Sequence, residues 1–479
     1  MRWPAVSECV SIDIGSTFTK GARFRFPPEG MKEPKPEVIH RADRATNRND
    51  LTISFNEVLG ELTSRAGEKL PVHVSSSAKG GLSVAAVGIV PDLTLKAARL
   101  TACSAGAKII KTYAYRLTDD ELAELTALRP DIILLTGGTD GGDEDYVLHN
   151  SAMLAGSGTD AVILYAGNAK AAARVERNLS GKQVRVVSNV LPEINRINPG
   201  PAQDAIRRIF LQEIIKGKGL TDVQSRAAGP IKPTPLAVFE LVRVMAGDDP
   251  WKDSMIVDPG GATTDCYSNS EAAAPETGSV TFRGLPEPRI KRSVEGDLGV
   301  RLSLRTLFAS AGGRIEARAA KVGIGTEEVS AYIEKVSSGI SRLPGTEQEE
   351  ELDRIFASAC FALAVRRHAG TMRTVYGPLG EQFVQTGKDL RRVRRVIITG
   401  GVLSRYGLLI NFPGSWESDG NSGAGNGVET VTLVPRTFEL YRDSGYILPL
   451  LANLAEPYPN AVLTLLKECL IKEDTVRCA

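Results

Sequence analysis

The sequence predicts an α/β fold that contains the same arrangement twice, and two observations carry this prediction. First, strand-like and helix-like segments alternate through residues 131–187, an order typical of parallel sheets covered by helices. Second, two distant segments, residues 11–20 (SIDIGSTFTK) and 256–265 (IVDPGGATTD), share one pattern. Each runs from apolar residues into aspartate, glycine and small hydroxyl residues, which predicts a strand, a tight turn and a returning strand.

A second marker follows each of these hairpins. A buried strand ends in Thr-Gly-Gly at residues 136–138 in the first half and at 399–401 in the second. Two markers in the same order favour an internal duplication over coincidence. We predict one domain over residues 1–250, with an inserted α/β subdomain, and a second over residues 251–479, with a helical insertion.

The remaining elements follow from hydrophobic periodicity and from end signals, such as Thr118 as a helix N-cap. Apolar runs predict strands at residues 11–13, 20–26, 72–78, 131–136, 161–165, 184–187, 256–258 and 395–399. Helical spacing predicts helices at residues 93–107, 119–128, 146–155, 169–179, 202–215, 235–245 and 461–471, and a largely helical region over 300–376. Glycine-rich loops are expected at residues 79–81 and 414–427.

The composition is that of an ordinary folded protein. The chain has 479 residues, of which 42% are apolar and 24% are charged, enough for two or three domains. Its net charge of +1 gives no global attraction to nucleic acid or to an anionic membrane. No apolar run approaches the ~20 residues that span a bilayer, and the N-terminus lacks a secretion signal. We therefore expect a cytoplasmic protein without nucleic-acid or membrane partners.

Several kinds of site are excluded by what the sequence lacks. The six cysteines form no CxxC pair and the four histidines have no ligand spacing, so reduced thiols are expected rather than a metal cluster. No GxxxxGKS/T run exists, which excludes a P-loop NTPase, and no GxSxG run suggests a hydrolase elbow.

The two predicted turns are suited to hold the phosphates of a nucleotide, because glycine lets the backbone approach a phosphate closely. Asp13 and Asp258 would repel phosphate, so we expect them to hold Mg²⁺, often through its waters. Asp265 is a candidate to orient a metal-bound water or to accept a proton from it. The candidate phosphate-binding residues are Gly15, Ser16, Thr17, Thr19, Lys20, Gly260, Gly261, Thr263 and Thr264. The alternative is a pair of plain glycine turns with capping polar residues.

The strand end at Gly400-Gly401 is a candidate surface for a base or a ribose. Ser404 would hydrogen-bond the base and Arg405 would stack on it. The alternative is a tight strand-to-helix turn. For Gly137-Gly138 and the glycines after them, up to Gly142, a structural role is favoured. Composition gives residues 295–299 (EGDLG) no role.

These segments resemble known motifs. The two hairpins and the Gly400-Gly401 strand end resemble the phosphate-one, phosphate-two and adenosine motifs of the actin, sugar kinase and heat-shock ATPase superfamily. Within it, the chain resembles the MutL family of glutamate mutase accessory proteins, also called the GlmL type. The segments that carry this closer resemblance are residues 12–17, 134–142, 189–194, 257–265, 294–299 and 398–401.

The resemblance implies two RNase H-like, actin-like ATPase domains with a nucleotide cleft between them. It implies an ATPase, with ATP and Mg²⁺, that reactivates an adenosylcobalamin-dependent mutase by releasing damaged cobalamin. It places Asp13 and Asp258 at the metal, the neighbouring glycines and hydroxyls at the phosphates, and Gly400, Gly401 and Ser404 at the adenosine. One departure is Pro259, which fixes its own φ and removes a backbone donor from the second turn.

Other functions stay open at this point. A small-molecule kinase of the same superfamily would need an acceptor site with a catalytic base, and no segment identifies one. An electron-passing activator would need closely spaced cysteines, which are absent. A non-catalytic scaffold would bind nucleotide without turnover. The sequence does not say which mutase is served or whether a homodimer forms.

Overall fold

Two units make up the protein. The computed structural model describes residues 7–27, 35–47, 49–64, 69–77, 82–214, 219–271, 280–339, 343–377, 380–410 and 430–477. The larger unit contains Met1–Ala78, Lys218–Phe282 and Glu287–Ala479, and the smaller contains Lys79–Gly217 and Arg283–Pro286. The division of the chain into domains at residue 250 stays a prediction.

The strands are short, and the central ones, such as β1, β5, β7, β8, β11 and β17, are mostly buried. They are β1 (Ser7–Ile14), β2 (Phe18–Phe26), β3 (Glu37–Ala45), β4 (Val72–Ser76), β5 (Ser83–Gly88), β6 (Lys108–Ala114), β7 (Ile132–Leu135), β8 (Val162–Tyr165), β9 (Val184–Val186), β10 (Lys232–Pro233), β11 (Ser254–Pro259), β12 (Thr264–Asn269), β13 (Val280–Arg283), β14 (Ile290–Glu295), β15 (Thr371–Gly377), β16 (Gly380–Thr386), β17 (Arg395–Ile398), β18 (Thr430–Thr432), β19 (Thr437–Arg442) and β20 (Ile471–Arg477).

The helices begin at recognisable capping signals. Thr118 and Glu121 form a capping box, and the side chain of Asp50 caps the first helix. The helices are α1 (Leu51–Thr63), α2 (Lys96–Ser104), α3 (Asp119–Leu128), α4 (Asp145–Gly156), α5 (Ala172–Asn178), α6 (Gly200–Ile214), α7 (Leu220–Arg226), α8 (Thr234–Met245), α9 (Leu304–Ala320), α10 (Thr326–Ser338), α11 (Glu347–His368), α12 (Gly401–Tyr406), α13 (Leu448–Ala452) and α14 (Pro459–Cys469).

Two sheets of the larger unit repeat one plan. The first has the order β10-β4-β1-β2-β3, and the second has the order β14-β12-β11-β17-β19-β20. In each, the central strand (β1 or β11) is antiparallel to its hairpin partner, which is antiparallel to the next strand. On the other side of the central strand lie two strands that run parallel to it. They are β4 and β10 in the first sheet, and β17 and β19 in the second. This is the RNase H-like arrangement, so the duplication predicted from the two hairpins is confirmed. The second marker is wrong, because the Thr-Gly-Gly end at residues 136–138 follows β7 of the smaller unit, whereas the one at residues 399–401 follows β17 of the second sheet.

One apolar core joins these two sheets. It contains Cys9 and Phe24 from the first sheet, Ile256 and Tyr267 from the second, and residues of α8, α13 and α14. A second core packs α9, α10 and α11 against the other side of the second sheet. The two central strands are thereby held in one packed body.

The smaller unit is built on a parallel sheet with the order β6-β5-β7-β8-β9. Its own core contains residues from each of these strands except β9, together with α3, α4 and α5. Residues 79–217 of this unit lie within the first predicted domain, where an inserted α/β subdomain was expected, and the domain assignment itself stays a prediction.

The sequence prediction is wrong at the end of one helical region. Residues 300–376 were expected to be largely helical, and α9, α10 and α11 confirm this as far as His368, but β15 then pairs with β16 and β18. These strands and β13 form a small sheet. Threonine and valine in residues 371–377 favour a strand, and pairing with later segments fixes it. The predicted loops at residues 79–81 and 414–427 lie outside the described residues.

Two glycines give opposite expectations for stability. Gly21 lies on β2 under α1, and an added Cβ would lie 2.7 Å from Val58 and 2.8 Å from Leu62. Gly60 is an exposed position of α1, with nothing within 4 Å of an added Cβ. We expect Gly21→Ala to lower the free energy of unfolding by about 1–3 kcal/mol through overpacking. Gly60→Ala should raise it by about 0.5–1 kcal/mol. Urea unfolding measures both, and equal effects would contradict the packing described.

Candidate functional site

Asp13 lies at the carboxyl end of β1 and is fixed by two hydroxyl groups. Its Oδ1 accepts a hydrogen bond from Ser75 Oγ at 2.8 Å and from Thr234 Oγ1 at 2.5 Å. Ser75 is its register partner on β4, and Thr234 is the first residue of α8. The residue is 1% exposed. Burial raises the pKa of Asp13, while the two hydrogen bonds and Lys20 act in the opposite direction.

Asp258 takes the corresponding place near the end of β11. Burial raises its pKa to about 7, and the carboxylates of Asp265, Asp13 and Asp443 add to this effect. The two predicted aspartates are therefore close enough for the charge on one to oppose ionisation of the other. The structure brings them into one electrostatic environment, although they are far apart in sequence.

Asp443 is a third buried carboxylate that the sequence analysis missed. It follows β19 and is 0% exposed. Its Oδ1 accepts from the backbone N–H of Ile447 at 2.7 Å, and its Oδ2 accepts from Leu448 N–H at 3.0 Å and from Thr399 Oγ1 at 2.9 Å. It thus satisfies amides at the start of α13. Aspartate shortly before a proline-containing helix start is the signal that could have found it.

Lys20 supplies the positive charge among these aspartates. Its Nζ lies 3.3 Å from the ring centroid of Tyr446, a residue with φ of 50°. Burial lowers the pKa of Lys20, and the charges of Asp13, Asp443 and Asp258 oppose that shift. One ammonium group therefore faces three carboxyl groups. A site with this charge balance favours the arrival of a further cation.

The first hairpin turn contains Gly15, Ser16 and Thr17. Gly15 N–H donates to the carbonyl of Phe18 at 3.0 Å, and Thr46 holds the turn through its hydroxyl and its amide. These three turn residues are partly exposed. Thr19 differs, because it is 0% exposed and its hydroxyl lies within hydrogen-bonding distance of Thr46 and Ser54. Its hydroxyl is used within the fold.

The second turn packs on the segment that follows β14. Gly260 N–H donates to the carbonyl of Thr263 at 2.8 Å, and the carbonyl of Gly261 accepts from Arg301 and Leu302. Gly260, Gly261 and Thr263 are partly exposed. Thr264 is 0% exposed and donates to the carbonyl of Leu298 at 2.8 Å. The hydroxyl of Thr264, like that of Thr19, is therefore already bonded.

Asp265 forms a buried ion pair. Its Oδ1 accepts from Arg292 Nε at 2.9 Å, and a second guanidinium nitrogen lies at 2.6 Å. Arg292 is 4% exposed. The guanidinium group thus fixes the direction in which the carboxylate points. The predicted catalytic role of Asp265 stays a prediction, and the pairing favours a positioning role.

The Gly400-Gly401 strand end contacts the second aspartate. Gly400 has φ of +91°, and an added Cβ would lie 2.5 Å from the carbonyl oxygen of Pro259 and 2.8 Å from Asp258 Oδ1. Gly401 is exposed and begins α12. Ser404 is 4% exposed, and its Oγ has no hydrogen-bond partner among the described residues. A buried unpaired hydroxyl is a candidate ligand contact.

Two segments without a predicted role are held inside the fold. The loop from Gly137 to Gly142 is fixed by the side-chain amides of Asn168 and Asn189. Glu295 and Asp297 both accept hydrogen bonds from Arg367. The structural role favoured for Gly137–Gly142 agrees with these contacts.

No ready-made metal centre occurs in the part of the chain that the structure describes. No three or more His, Cys, Asp or Glu side chains there are grouped so that they could hold a metal ion alone. Mg²⁺ does not require such a group, because it usually keeps several waters and binds one or two carboxylates together with substrate phosphates. The carboxylate surplus around Lys20 fits that mode of binding.

Comparison with known proteins identifies relatives. The family model described as MutL protein matches residues 9–470. A curated relative, Protein MutL from Clostridium tetanomorphum, is 36% identical over 473 residues, covering 96% of this chain and 98% of the relative.

Solved structures are more distant. Acetone carboxylase in its nucleotide-free form has a TM-score of 0.36 at 10% identity, covering 95% of this chain and 70% of that chain. Diol dehydratase-reactivating factor, also nucleotide-free, has a TM-score of 0.29 at 10% identity, covering 83% and 92%. No inference follows from likenesses this low. Within the described residues, no helix is both long and apolar enough to cross a membrane.

The neighbouring glycines 400 and 401 provide a matched pair of variants. We expect Gly400→Ala to lower the free energy of unfolding by about 2 kcal/mol or more, because its φ is unfavourable for alanine and the Cβ would overlap the Asp258 carboxylate. Gly401→Ala, with open space around its Cβ, should change it by less than about 1 kcal/mol. Thermal unfolding of both variants measures the difference. A larger effect at Gly401 would contradict this geometry.

The raised pKa of Asp258 predicts a pH-dependent stability. Below about pH 4 the Asp258 carboxyl group is protonated in both the folded and the unfolded protein. Its raised pKa therefore does not change the free energy of unfolding there. As pH rises towards 7 the unfolded state loses this proton first, and the folded state becomes less stable by at most about 4 kcal/mol. Asp258→Asn has no group to ionise and so removes this pH-dependent loss of stability. The variant should therefore gain stability relative to wild type between pH 4 and pH 8 in urea titrations without nucleotide. If the free energy of unfolding of the variant differed from that of wild type by the same amount at every pH in that range, the raised pKa of Asp258 would be contradicted.

Proposed function

Because this chain belongs to the MutL protein family, we propose that it is an ATPase that reactivates an adenosylcobalamin-dependent mutase. ATP binding and hydrolysis would drive release of damaged cobalamin from that enzyme. The observation that carries the ATPase proposal is the charge arrangement at equivalent strand ends of two RNase H-like sheets. There Asp13, Asp258 and Asp443 are coupled to one another and to Lys20.

The nucleotide's phosphates are assigned to the two hairpin turns. Gly15, Ser16 and Thr17 would contact them from the first turn. The second turn would contribute Gly260, Gly261 and Thr263. We leave the hydroxyls of Thr19 and Thr264 out of this assignment, because both are bonded within the fold. The adenosine is assigned to Gly400, Gly401 and the unpaired hydroxyl of Ser404.

The metal is assigned to the two aspartates. Asp13 and Asp258 would hold Mg²⁺, in part through water, and the ion would neutralise phosphate charge and favour attack on the terminal phosphate. Asp443 would stay on the amides of α13 and contribute its field. The pKa of Asp258 near 7 supports this assignment, since a carboxyl group that is costly to ionise alone gains from a cation.

Lys20 has two roles in this proposal. Without nucleotide, its ammonium group offsets part of the negative charge of the aspartates. With nucleotide, it would donate to phosphate oxygens, and the metal would take over the charge balance. Tyr446 would keep the ammonium in reach through its ring. Since Asp13 is only 1% exposed, the site must open before a metal–nucleotide complex can enter.

Asp265 is assigned to orientation of the attacking water. Its pairing with Arg292 fixes the carboxylate next to Asp258, its register partner. The proton of the attacking water would be lost late, to solvent or to the phosphate. A small-molecule kinase is the alternative within the same superfamily, and it differs in one measurable way: it transfers phosphate to an acceptor instead of water.

The mutase assignment comes from the family. The sequence contains no Asp-x-His-x-x-Gly segment for cobalamin binding, so we assign the cofactor to the partner. Magnesium-dependent hydrolysis coupled to cobalamin release and a cytoplasmic location both belong to this proposal.

We expect Asp13→Asn and Asp258→Asn each to lower ATP hydrolysis by about 100-fold or more, because each removes a metal-binding charge and keeps the shape of the side chain. Phosphate release with Mg²⁺ and ATP measures this, with and without a mutase holoenzyme carrying inactivated cobalamin. Wild type should be slow alone and faster with the mutase.

The matched control is Asp474→Asn, an exposed carboxylate on β20, which should hydrolyse ATP as wild type does. Unchanged hydrolysis in both site variants would remove the metal assignment. A phosphorylated acceptor in place of free phosphate would identify a kinase.

A further inference from the structure

One edge of the smaller unit collects the loops that leave its parallel sheet. The strands end in register, with Gly88 beside Ala114, Leu135 beside Tyr165, and Tyr165 beside Val186. We call the loops beyond these ends the carboxyl edge; they are residues 89–95, 115–120, 136–145, 166–170 and 186–199. In open α/β sheets this is the edge where partners bind.

Exposed apolar side chains concentrate at this edge. In the described part of the smaller unit the large exposed ones are Val90, Tyr115, Leu128, Val186 and Ile194, and all except Leu128 lie on the carboxyl edge. Ile194 is 71% exposed and Tyr115 is 54% exposed. Leu128 ends α3, ahead of the amino end of β7, and so lies at the opposite edge. Single exposed apolar residues are ordinary, but a collection along one edge marks an interaction site.

The fold holds Tyr115 in a fixed and unfavourable backbone conformation. Its φ is 68°, which is uncommon for a bulky residue. The N–H of Tyr115 donates to the carbonyl of Gly88 at 2.9 Å, and its carbonyl accepts from the Asn150 side chain at 2.9 Å. Asn150 is 0% exposed. An exposed aromatic ring on a rigid, strained backbone is a preorganised contact.

Ile194 is presented by an equally defined turn. Asn195 beside it has φ of 67°, and Arg196 N–H donates to the carbonyl of Glu193 at 3.1 Å. Asn198 N–H closes the base of the loop on the carbonyl of Val190 at 2.8 Å. The hydrogen bonds of this loop therefore keep the Ile194 side chain exposed at the surface.

The glycine loop, from Gly137 to Gly142, follows β7, between the strands that lead to Tyr115 and to Ile194. Several of its polar groups are hydrogen-bonded within the fold. Asn168 accepts from the N–H of Gly141 and donates to the carbonyls of Gly142 and Asp143. Asn189 donates to the carbonyl of Gly138. With these groups bonded inside the fold, the edge is better suited to a protein surface than to a small anionic ligand.

The charge of the edge identifies the kind of partner. The loops of this edge have seven exposed carboxylates and three exposed cations, Arg116, Lys170 and Arg196, and Arg283 of the same unit pairs with Asp92 at 3.6 Å, so the edge keeps a net negative charge. The carboxylates are Asp92, Asp119, Asp120, Asp140, Asp143, Asp145 and Glu193. A negative edge repels nucleic acid and anionic membranes, and it complements a basic protein surface.

We propose that the carboxyl edge of the smaller unit is the docking surface for the partner protein. Tyr115 and Ile194 are the apolar anchors, and the partner presents apolar pockets with a basic rim. Resting on the proposed function, this partner is the adenosylcobalamin-dependent mutase. The anchors occupy two ends of the edge, so the mutase contacts both sides of the glycine loop.

The first test is site-specific photo-crosslinking of the full chain in its source cells. A benzophenone amino acid replaces Tyr115, Ile194 or, as the matched control, Leu128. We expect adducts from positions 115 and 194 that mass spectrometry identifies as a subunit of an adenosylcobalamin-dependent mutase, and no such adduct from position 128. Adducts with nucleic acid, lipid or unrelated proteins, or equal yields from all three positions, overturn the proposal.

The second test separates docking from hydrolysis. Tyr115→Asn keeps the backbone conformation accessible and removes the ring, and Ile194→Asp removes the second anchor. Each should raise the mutase concentration that gives half-maximal stimulation of ATP hydrolysis by at least about tenfold, with basal hydrolysis unchanged. Leu128→Asp should change neither. If the mutase stimulates ATP hydrolysis by both anchor variants as it does wild type, the proposed docking surface is wrong. If wild type hydrolyses no ATP, the proposed function fails, while the crosslinking result still decides the surface.

Discussion

The larger unit keeps three carboxyl groups and one ammonium group close together near strand ends of its two RNase H-like sheets, and two of the carboxyl groups, those of Asp13 and Asp443, are buried. Two of these carboxylates are held by neutral donors: hydroxyls for Asp13, and helix amides and a hydroxyl for Asp443. None of these donors cancels the negative charge, and among the described residues Lys20 supplies the positive charge that offsets part of it from within. The fold therefore holds an electrostatic arrangement that is costly by itself and is relieved by a cation. Such an imbalance is typical of a site shaped for a ligand.

Much of this arrangement was visible in the sequence because it rests on local patterns. The hairpin from Asp13 to Lys20 follows from apolar alternation and a glycine turn, and the structure pairs those two residues in register. The repeated pattern at Asp258 then predicted the second sheet. Helices α3 and α4 were found with ends within one residue, because Thr118 and the periodicity are local signals. The MutL family resemblance was confirmed over nearly the whole chain.

What the sequence could not give were contacts between distant residues. Asp443 joins the group only because β19 lies two strands from β11, beyond β17. The hydroxyls of Thr19 and Thr264 looked available in the sequence, but neighbouring segments bury both. The partner of Asp265 lies on β14, a strand whose pairing the sequence does not reveal. The helical prediction for residues 300–376 is wrong at residues 371–376. The strand partners of these residues come later in the chain, and pairing with them outweighs local preference.

The contact between α13 and β1 has a consequence for how the chain is made. Ser11 Oγ donates to the carbonyl of Leu450, and Asn453 donates to Ser11 Oγ and to the carbonyl of Ile12. β1 is therefore completed by residues that lie 439 to 442 positions later in the chain and are translated after it. Until then, Ser11 Oγ and the carbonyl of Ile12 lack these partners, and the face containing Cys9 and Phe24 lacks the part of its core that α13 and α14 supply. Newly made chains thus need protection through most of their synthesis, so a protein proposed to service another enzyme would itself depend on general chaperones while it matures.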